Sequence, residues 1–354
     1  MRLSELTTLR IGGEVKNLVR AENEQQLIDA VREVDAAGTE LLVLGGGSNL
    51  VASDRPFAGT VVHVIDPGTD DATAPAPDEA TCGGVTVDHF AGVPWDRAVR
   101  DAVARELIGI EALSGIPGSV GATPIQNVGA YGQEVAQTIS RVRTWDRHDG
   151  VVRTFAAADC RFAYRDSLFK RTPYEGPVPS ATGRYVVLSV TFQHPQGSLS
   201  APIRYAELAR RLGVEVGERA PLQQVRDTVL AIRGGKGMVL DAEDHDTWSA
   251  GSFFTNPLLS PEDAARLPED APRFPAGDLV KTSAAWLISQ AGFDRGFGVG
   301  PRAALSSKHS LALTNRGDAS SEDIVALAAA VRAGVQERFG VHLEVEPVRL
   351  GLDL

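Results

Sequence analysis

Cysteine is nearly absent: Cys82 and Cys160 are the only two among 354 residues. They form no C-x-x-C pair and join no Cys/His cluster, which argues against a disulfide framework or a metal site and for buried thiols in a reducing cytoplasm. No run approaches about 18 apolar residues, so no membrane span is expected. The opening MRLSELTTLRIGG has no apolar signal core. Basic excess is missing as well, with 35 Lys and Arg against 46 Asp and Glu and a net charge of −11. That balance disfavours a nucleic-acid backbone or an anionic membrane as the main partner, while a local basic pocket for phosphates stays compatible with it. No repeat of about 20–50 residues is found, which removes solenoids and propellers.

What remains is the composition of an ordinary globular protein, 43% hydrophobic and 23% charged, long enough for two or three domains. The pattern alternates strands and helices. Residues 24–37 place Leu27, Ile28, Val31 and Val34 at helical spacing, and a strand follows at Leu41–Leu44. Further strands are predicted at 61–65 and 84–93, with a helix at 95–107 carrying Trp95, Val99, Ala102 and Val103 on one face. The acidic, Pro-rich stretch 66–80 reads as an exposed loop and a domain boundary. RVRTW and VVRTF around Asp149-Gly150 predict a hairpin over 141–155. Helices are expected at 221–232, after Ser283, and at 321–339, the last opened by Ser320 and stopped by Gly340. A final strand is expected over 341–350, with Glu344 and Glu346 on the same side. The fold class is mixed α/β or α+β with more than one domain.

Four segments carry chemistry. Ser249 to Pro257 reads SAGSFFTNP, where Gly251 permits close backbone approach, Ser252 follows directly, Phe253 and Phe254 exclude water, and Asn256 offers a fixed donor. Gly45-Gly46-Gly47-Ser48-Asn49-Leu50 follows an apolar strand, so its N–H groups can converge on an anion. It is neither a Walker A loop nor a G-x-G-x-x-G fingerprint. The run 115–132, GIPGSVGATPIQNVGAYG, holds five glycines and two prolines and fits neither helix nor regular strand. Its backbone groups need partners elsewhere, and a large planar or phosphate-bearing ligand would supply them. In CRFAYRDS, Arg165 lies between Tyr164 and Asp166 and suits an oriented guanidinium. Lys236 in a glycine nest and Tyr205 suit phosphate contacts, though each alone is more often a surface residue.

LGGGSNL, SGIPGSVGATPIQNVGAYG, CRFAYRDSLFK, AGSFFTNP and LEVEPVR, in this order, resemble the bacterial UDP-N-acetylenolpyruvoylglucosamine reductase family of peptidoglycan precursor synthesis. The likeness runs from Thr8 to Arg349. It implies an α+β chain: an FAD-binding fold of the vanillyl-alcohol-oxidase (PCMH) type in two lobes, plus a separate α/β substrate-binding domain. The implied division is 1–67 with 341–354, then 68–240, then 241–340.

The resemblance implies Arg165, Ser252 and Glu346 as catalytic residues. Ser252 gives a proton, and Arg165 with protonated Glu346 stabilises an enolate-like charge. It assigns FAD contacts to Gly45, Gly46, Gly47, Ser48, Asn49, Leu50, Ile116, Pro117, Gly118, Gly121, Ala122, Ile125, Asn127, Gly129 and Arg233. Tyr131, Tyr164, Tyr205, Lys236, Asn256 and His309 are implied to hold the nucleotide-sugar substrate. NADPH is the implied reductant, the implied state is a cytoplasmic monomer, and no metal, nucleic acid or membrane is implied. Many relatives carry a tyrosine in a loop over the substrate where this chain has Phe274, which can cap a pocket but lacks the hydroxyl. Two other readings are a flavin-dependent oxidase of the same fold and a non-catalytic nucleotide-sugar binder. Oxidases of this kind often tether flavin through His or Cys, absent from both glycine runs, and a binder needs no proton donor.

Overall fold

A computed structural model describes residues 1–66, 68, 80–81 and 84–354 of the chain. The expected loop and boundary at 66–80 fall almost wholly outside these residues, as does Cys82. The chain forms two compact units, one of Val15–Gly46 with Phe57–Gly234, the other of Met1–Glu14, Gly47–Pro56 and Gly235–Leu354.

In the larger unit, helix Glu24–Ala36 buries Leu27, Ile28, Val31 and Val34 on one face, and the Asn23 side chain caps it by accepting the Gln26 N–H at 2.9 Å. It packs against a parallel sheet in the order Val15–Ala21, Phe57–Val64, Leu41–Leu44. Most of the central strand is buried, as a covered parallel sheet demands. The first glycine run therefore leaves the carboxyl end of a parallel strand.

A second, antiparallel sheet runs Val151–Ala156, Ile139–Asp146, Tyr185–His194, Gly84–Phe90, Ala80–Thr81. Its hairpin closes where expected, with Asp146 opposite Val151 and Gly150 at φ +65°. Helix Trp95–Ala104 ends short of the expected 107, because Glu106 turns left-handed at φ +57° and Leu107 N–H caps back onto the Ala102 carbonyl at 2.9 Å.

Helix Leu222–Gly235 aligns Leu222, Val225, Val229 and Ile232 with two buried arginines, Arg226 and Arg233. It continues through the glycines that sequence placed in a nest. Lys236 therefore follows a helix C-terminus, which presents carbonyls rather than N–H groups. The run 115–132 also holds more regular structure than expected. It contains a short helix, Thr123–Gln126, and strand Gly129–Ala130, which pairs with Gln133–Glu134.

The smaller unit is built around helix Ser321–Phe339, whose Ser320 and Asp323 form a reciprocal capping box and whose end is closed by Gly340 at φ +68°. Ile324, Leu327, Val331 and Val335 pack with Leu287, Ile288, Leu305 and Leu313 into one core. Phe253 and Phe254 are fully buried in that same core, their rings 5.2 Å apart and edge to face. They anchor the segment rather than wall a site. The terminal strand is only Val348–Leu350, parallel to Leu50–Ala52; residues 341–347 contribute a single bridge, Val345 to Phe254. Glu344 is exposed and Glu346 half-buried.

The two units divide the chain differently from the three-part expectation. Residues 15–46 group with the antiparallel sheet, and only 1–14 and 47–56 join the C-terminal strand. The pairing of Leu50–Ala52 with Val348–Leu350 accounts for that grouping. No helix among the described residues is long and apolar enough to cross a membrane, and no cluster of three or more potential metal ligands occurs among them.

Candidate active site

In the larger unit the 161–167 segment makes a tight turn. Ala163 and Asp166 exchange both backbone hydrogen bonds, at 2.9 and 3.2 Å, leaving Tyr164 and Arg165 at its tip. Arg165 sits at φ +54°, a conformation a side-chain-bearing residue adopts at a cost. Its guanidinium donates to the Gly129 carbonyl at 2.8 Å and lies 5.5 Å from the Tyr164 ring. A Cβ on Gly129 would stand 3.3 Å from the Arg165 Nη1, so the glycine makes room for the cation. Ser167 Oγ donates to the Ile125 carbonyl at 2.8 Å and closes the contact between the two segments.

The two glycine runs meet within this unit. A Cβ on Gly45 would fall 2.1 Å from Ser119 Oγ, and one on Gly46 2.7 Å from the Gly118 Cα. Only glycine allows that approach. Gly118 accepts from Trp95 N–H at 3.0 Å, and Gly121 donates to the Ala91 carbonyl at 2.9 Å. Part of the run's backbone is thus satisfied by protein. Ile116, Pro117 and Ile125 are half-buried beside it, and Ala122 is exposed.

Arg233 is buried, and burial pushes its pKa down against the opposing pull of Tyr131, its hydrogen-bond partner, and of Asp96. The Tyr131 ring meets Tyr205 edge to face at 5.3 Å. A predicted cofactor contact and two predicted substrate contacts are therefore neighbours: Arg233, Tyr131, Tyr205. Tyr205 is 42% exposed, which gives its ring a solvent face.

In the smaller unit, Gly251 takes φ +76° and Ser252 is half-buried after it. Phe253 N–H donates to the Leu311 carbonyl at 2.8 Å, and Phe253 carbonyl accepts from Glu346 N–H at 2.9 Å. The Phe253 main chain thus ties the residue after Ser252 to Glu346. The Asn256 carboxamide oxygen accepts from Ala284 N–H at 2.9 Å at the start of helix Ala284–Gln290, which fixes its orientation. Gly47 turns at φ +59° and its carbonyl accepts from Thr8 N–H; Asn49 carbonyl accepts from Val348 N–H, and Leu50 opens the strand beside it. Ser48, Lys236 and His309 are half-buried. Phe274 is 51% exposed on strand Arg273–Ala276.

Sequence reasoning passed over two charged anchors. Asp96 accepts Gly115 N–H at 2.6 Å and takes both Arg226 nitrogens at 2.8 Å, fastening the second glycine run to the helix that carries Arg233. Asp246 accepts from Ser307 N–H at 2.8 Å, Ser307 Oγ at 2.6 Å and Arg316 at 2.8 Å, fixing the segment that bears His309. Both pairs join residues far apart in sequence, so no local pattern marks them.

Residues 15–156 match the family model described as an FAD binding domain, and residues 243–350 match that of the UDP-N-acetylenolpyruvoylglucosamine reductase C-terminal domain. Fold and site define a flavin-dependent oxidoreductase. Full-length relatives narrow this. The chain is 54% identical over 352 residues to the UDP-N-acetylenolpyruvoylglucosamine reductase of Cutibacterium acnes, covering 99% of this chain and 89% of the relative. It is 52% identical to that of Streptomyces coelicolor, covering 99% and 90%. The chain belongs to the UDP-N-acetylenolpyruvoylglucosamine reductase family. A crystal structure of such a reductase from Thermus caldophilus shares the fold, with TM-score 0.64 over 99% of this chain and 97% of that one at 23% identity. The donor set fits FAD: side-chain-free glycines where two loops touch, and a buried arginine suited to a diphosphate.

Proposed function

We propose that the chain reduces the enolpyruvyl ether of UDP-N-acetylglucosamine to UDP-N-acetylmuramate, with electrons from NADPH, in peptidoglycan precursor synthesis. When bound, FAD would supply the two-electron redox chemistry that links NADPH to the enol ether. Gly45, Gly46, Gly47, Ser48, Asn49, Leu50, Ile116, Pro117, Gly118, Gly121, Ala122, Ile125, Gly129 and Arg233 hold it.

Hydride addition leaves negative charge spread from the neighbouring carbon into the substrate carboxylate. Arg165 offsets that charge as a fixed cation, and Glu346, acting as its carboxylic acid, donates a hydrogen bond to it. Ser252 Oγ gives its proton to the neighbouring carbon, completing addition of one hydride and one proton across the double bond. Tyr131, Tyr164, Tyr205, Lys236, Asn256 and His309 hold the sugar and diphosphate. The observation that supports this reading is the backbone hydrogen bond from Glu346 N–H to the Phe253 carbonyl, which brings the residue after Ser252 beside Glu346.

The test is the visible spectrum of the purified protein under anaerobic conditions. NADPH should bleach the flavin, and the enolpyruvyl nucleotide sugar should restore it in a second, separate step. Reoxidation by O₂ as fast as by the sugar would replace this reading with the oxidase one.

A further inference from the structure

We propose that Asn127 is a positioning residue for Arg165 rather than a cofactor contact, an inference that rests on the catalytic reading of Arg165. Asn127 is 1% exposed, and its carboxamide commits both N–H donors and one oxygen lone pair to protein. Its Nδ2 donates to the Ala163 carbonyl at 2.8 Å and to Glu134 Oε2 at 3.0 Å, and its Oδ1 accepts from Ala136 N–H at 3.3 Å. A side chain so buried, with both donors already spent, presents no open face to a ligand.

Ala163 is the base of the turn that holds Arg165. Its carbonyl receives both the Asp166 N–H that closes the turn and the Asn127 amide that grips it from outside. Arg165 returns the contact, donating to the Gly129 carbonyl two residues beyond Asn127. The two segments therefore clasp each other reciprocally, Asn127 reaching to the turn and Arg165 reaching to the run. Both residues occupy left-handed backbone, at φ +44° and +54°. Strain at both ends of one clasp persists only where surrounding bonds over-determine it. Glu134 completes the arrangement: an asparagine can donate to that carboxylate, whereas an aspartate would oppose it.

The experiment uses the FAD-loaded full chain and three readouts: flavin retained, flavin reduction by NADPH, and reoxidation by the enolpyruvyl nucleotide sugar. Asn127→Gly keeps the left-handed backbone and deletes the three bonds; Asn127→Asp is near-isosteric and serves if the glycine variant does not fold. We expect flavin content and NADPH reduction to stay at parental levels while reoxidation slows about 10²-fold, the effect of a misplaced catalytic group. In an Arg165→Ala background the same substitution should add almost nothing. Loss of FAD affinity with normal reoxidation at saturating FAD would overturn the inference and restore a cofactor role. Full additivity with Arg165→Ala would likewise overturn it by showing a general structural role. If Arg165→Ala alone reoxidised at the parental rate, the catalytic reading of Arg165 would fall first, and this inference with it.

Discussion

Phe253 and Glu346 are joined backbone to backbone, the Glu346 N–H donating to the Phe253 carbonyl at 2.9 Å. The ring of Phe253 is fully buried in the smaller unit's core, so the bond rests on a rigid anchor. Ser252 and Glu346 inherit that rigidity without either side chain being buried. The sequence places them 94 positions apart. The Phe253 N–H also donates to the Leu311 carbonyl at 2.8 Å, which brings the 306–312 segment into the same framework.

Ser252→Ala should separate the two halves of the reaction. NADPH should still reduce the flavin at a near-parental rate, because that step takes no proton from Ser252. Reoxidation by the enolpyruvyl sugar should slow by about 10² to 10⁴, the usual reach of a general acid. Stopped-flow absorbance of each half-reaction reads both numbers. Parental reoxidation would move the proton to another donor.

Asp246→Ala should loosen the segment carrying Lys308 and His309. The substitution leaves Arg316 and the Ser307 N–H without their carboxylate. The expected loss is about 2 kcal/mol, the low side for a broken buried pair because Arg316 keeps contact with water. The KM for the nucleotide sugar should rise more than kcat falls. Its pH behaviour has a definite sign: burial pushes the Asp246 carboxyl up, but the hydrogen bonds from Ser307 and Arg316 outweigh it and hold it down to about 2. Its stabilisation is therefore present above the ordinary carboxylate value and is lost as pH falls through about 2. Urea unfolding of parent and variant measures the difference.

Much of the fold was legible because its signals are local. The Glu24–Ala36 and Ser321–Phe339 helices announce themselves by apolar spacing, the second also by its Ser320 cap, and Asp149-Gly150 names its own hairpin. The candidate site was legible as motifs and, through them, as a family. What sequence did not disclose was nonlocal. The Asp96–Arg226 and Asp246–Arg316 pairs span 130 and 70 positions. The glycines at 234 and 235 read as a phosphate nest yet complete a helix, since nothing in a Gly-Gly pair states whether the preceding turn continues. Phe253 and Phe254 read as a site wall because an aromatic pair beside a serine looks the same whether it faces a ligand or a core.

Cys160 should resist alkylation in the native protein. It is buried, its Sγ donates to the Ala156 carbonyl at 3.3 Å, and burial followed by the nearby Asp159 charge pushes its pKa up to about 12. Thiol reactivity follows the thiolate fraction, which is then negligible at neutral pH. After iodoacetamide treatment near neutral pH, peptide mass spectrometry should find Cys160 unmodified, and fully modified once guanidinium is added. Native labelling would mean that this part of the larger unit opens readily.

His194 makes the larger unit sensitive to mild acid. The ring is 1% exposed and stacks on Phe192 at 5.9 Å, and its Nδ1 lies 3.0 Å from the Ile108 carbonyl, which can only accept, so Nδ1 carries the proton. Burial pushes its pKa from 6.5 down to about 4, with Arg105 adding to the effect and the Ile108 bond opposing it. His89, on another side of Phe192, is pushed to about 4 by burial and then by His194 itself. The folded state therefore binds fewer protons than the unfolded chain between about 4 and 6.5, and stability rises with pH across that window. It is fully present above 6.5 and is lost as pH falls toward 4, by on the order of 3 kcal/mol for His194. The window is separable from that of the carboxylates, because Asp146 and Asp246 carry depressed pKa values and lose their contribution only below the ordinary 3.8. Urea midpoints measured from pH 7 to pH 4.5 should fall in the parent and fall less steeply in His194→Gln, which keeps a donor for Ile108 and cannot titrate. Parallel slopes for the two proteins would mean that His194 takes up its proton equally in the folded and unfolded chains over this range, and the acid sensitivity would have to come from another group.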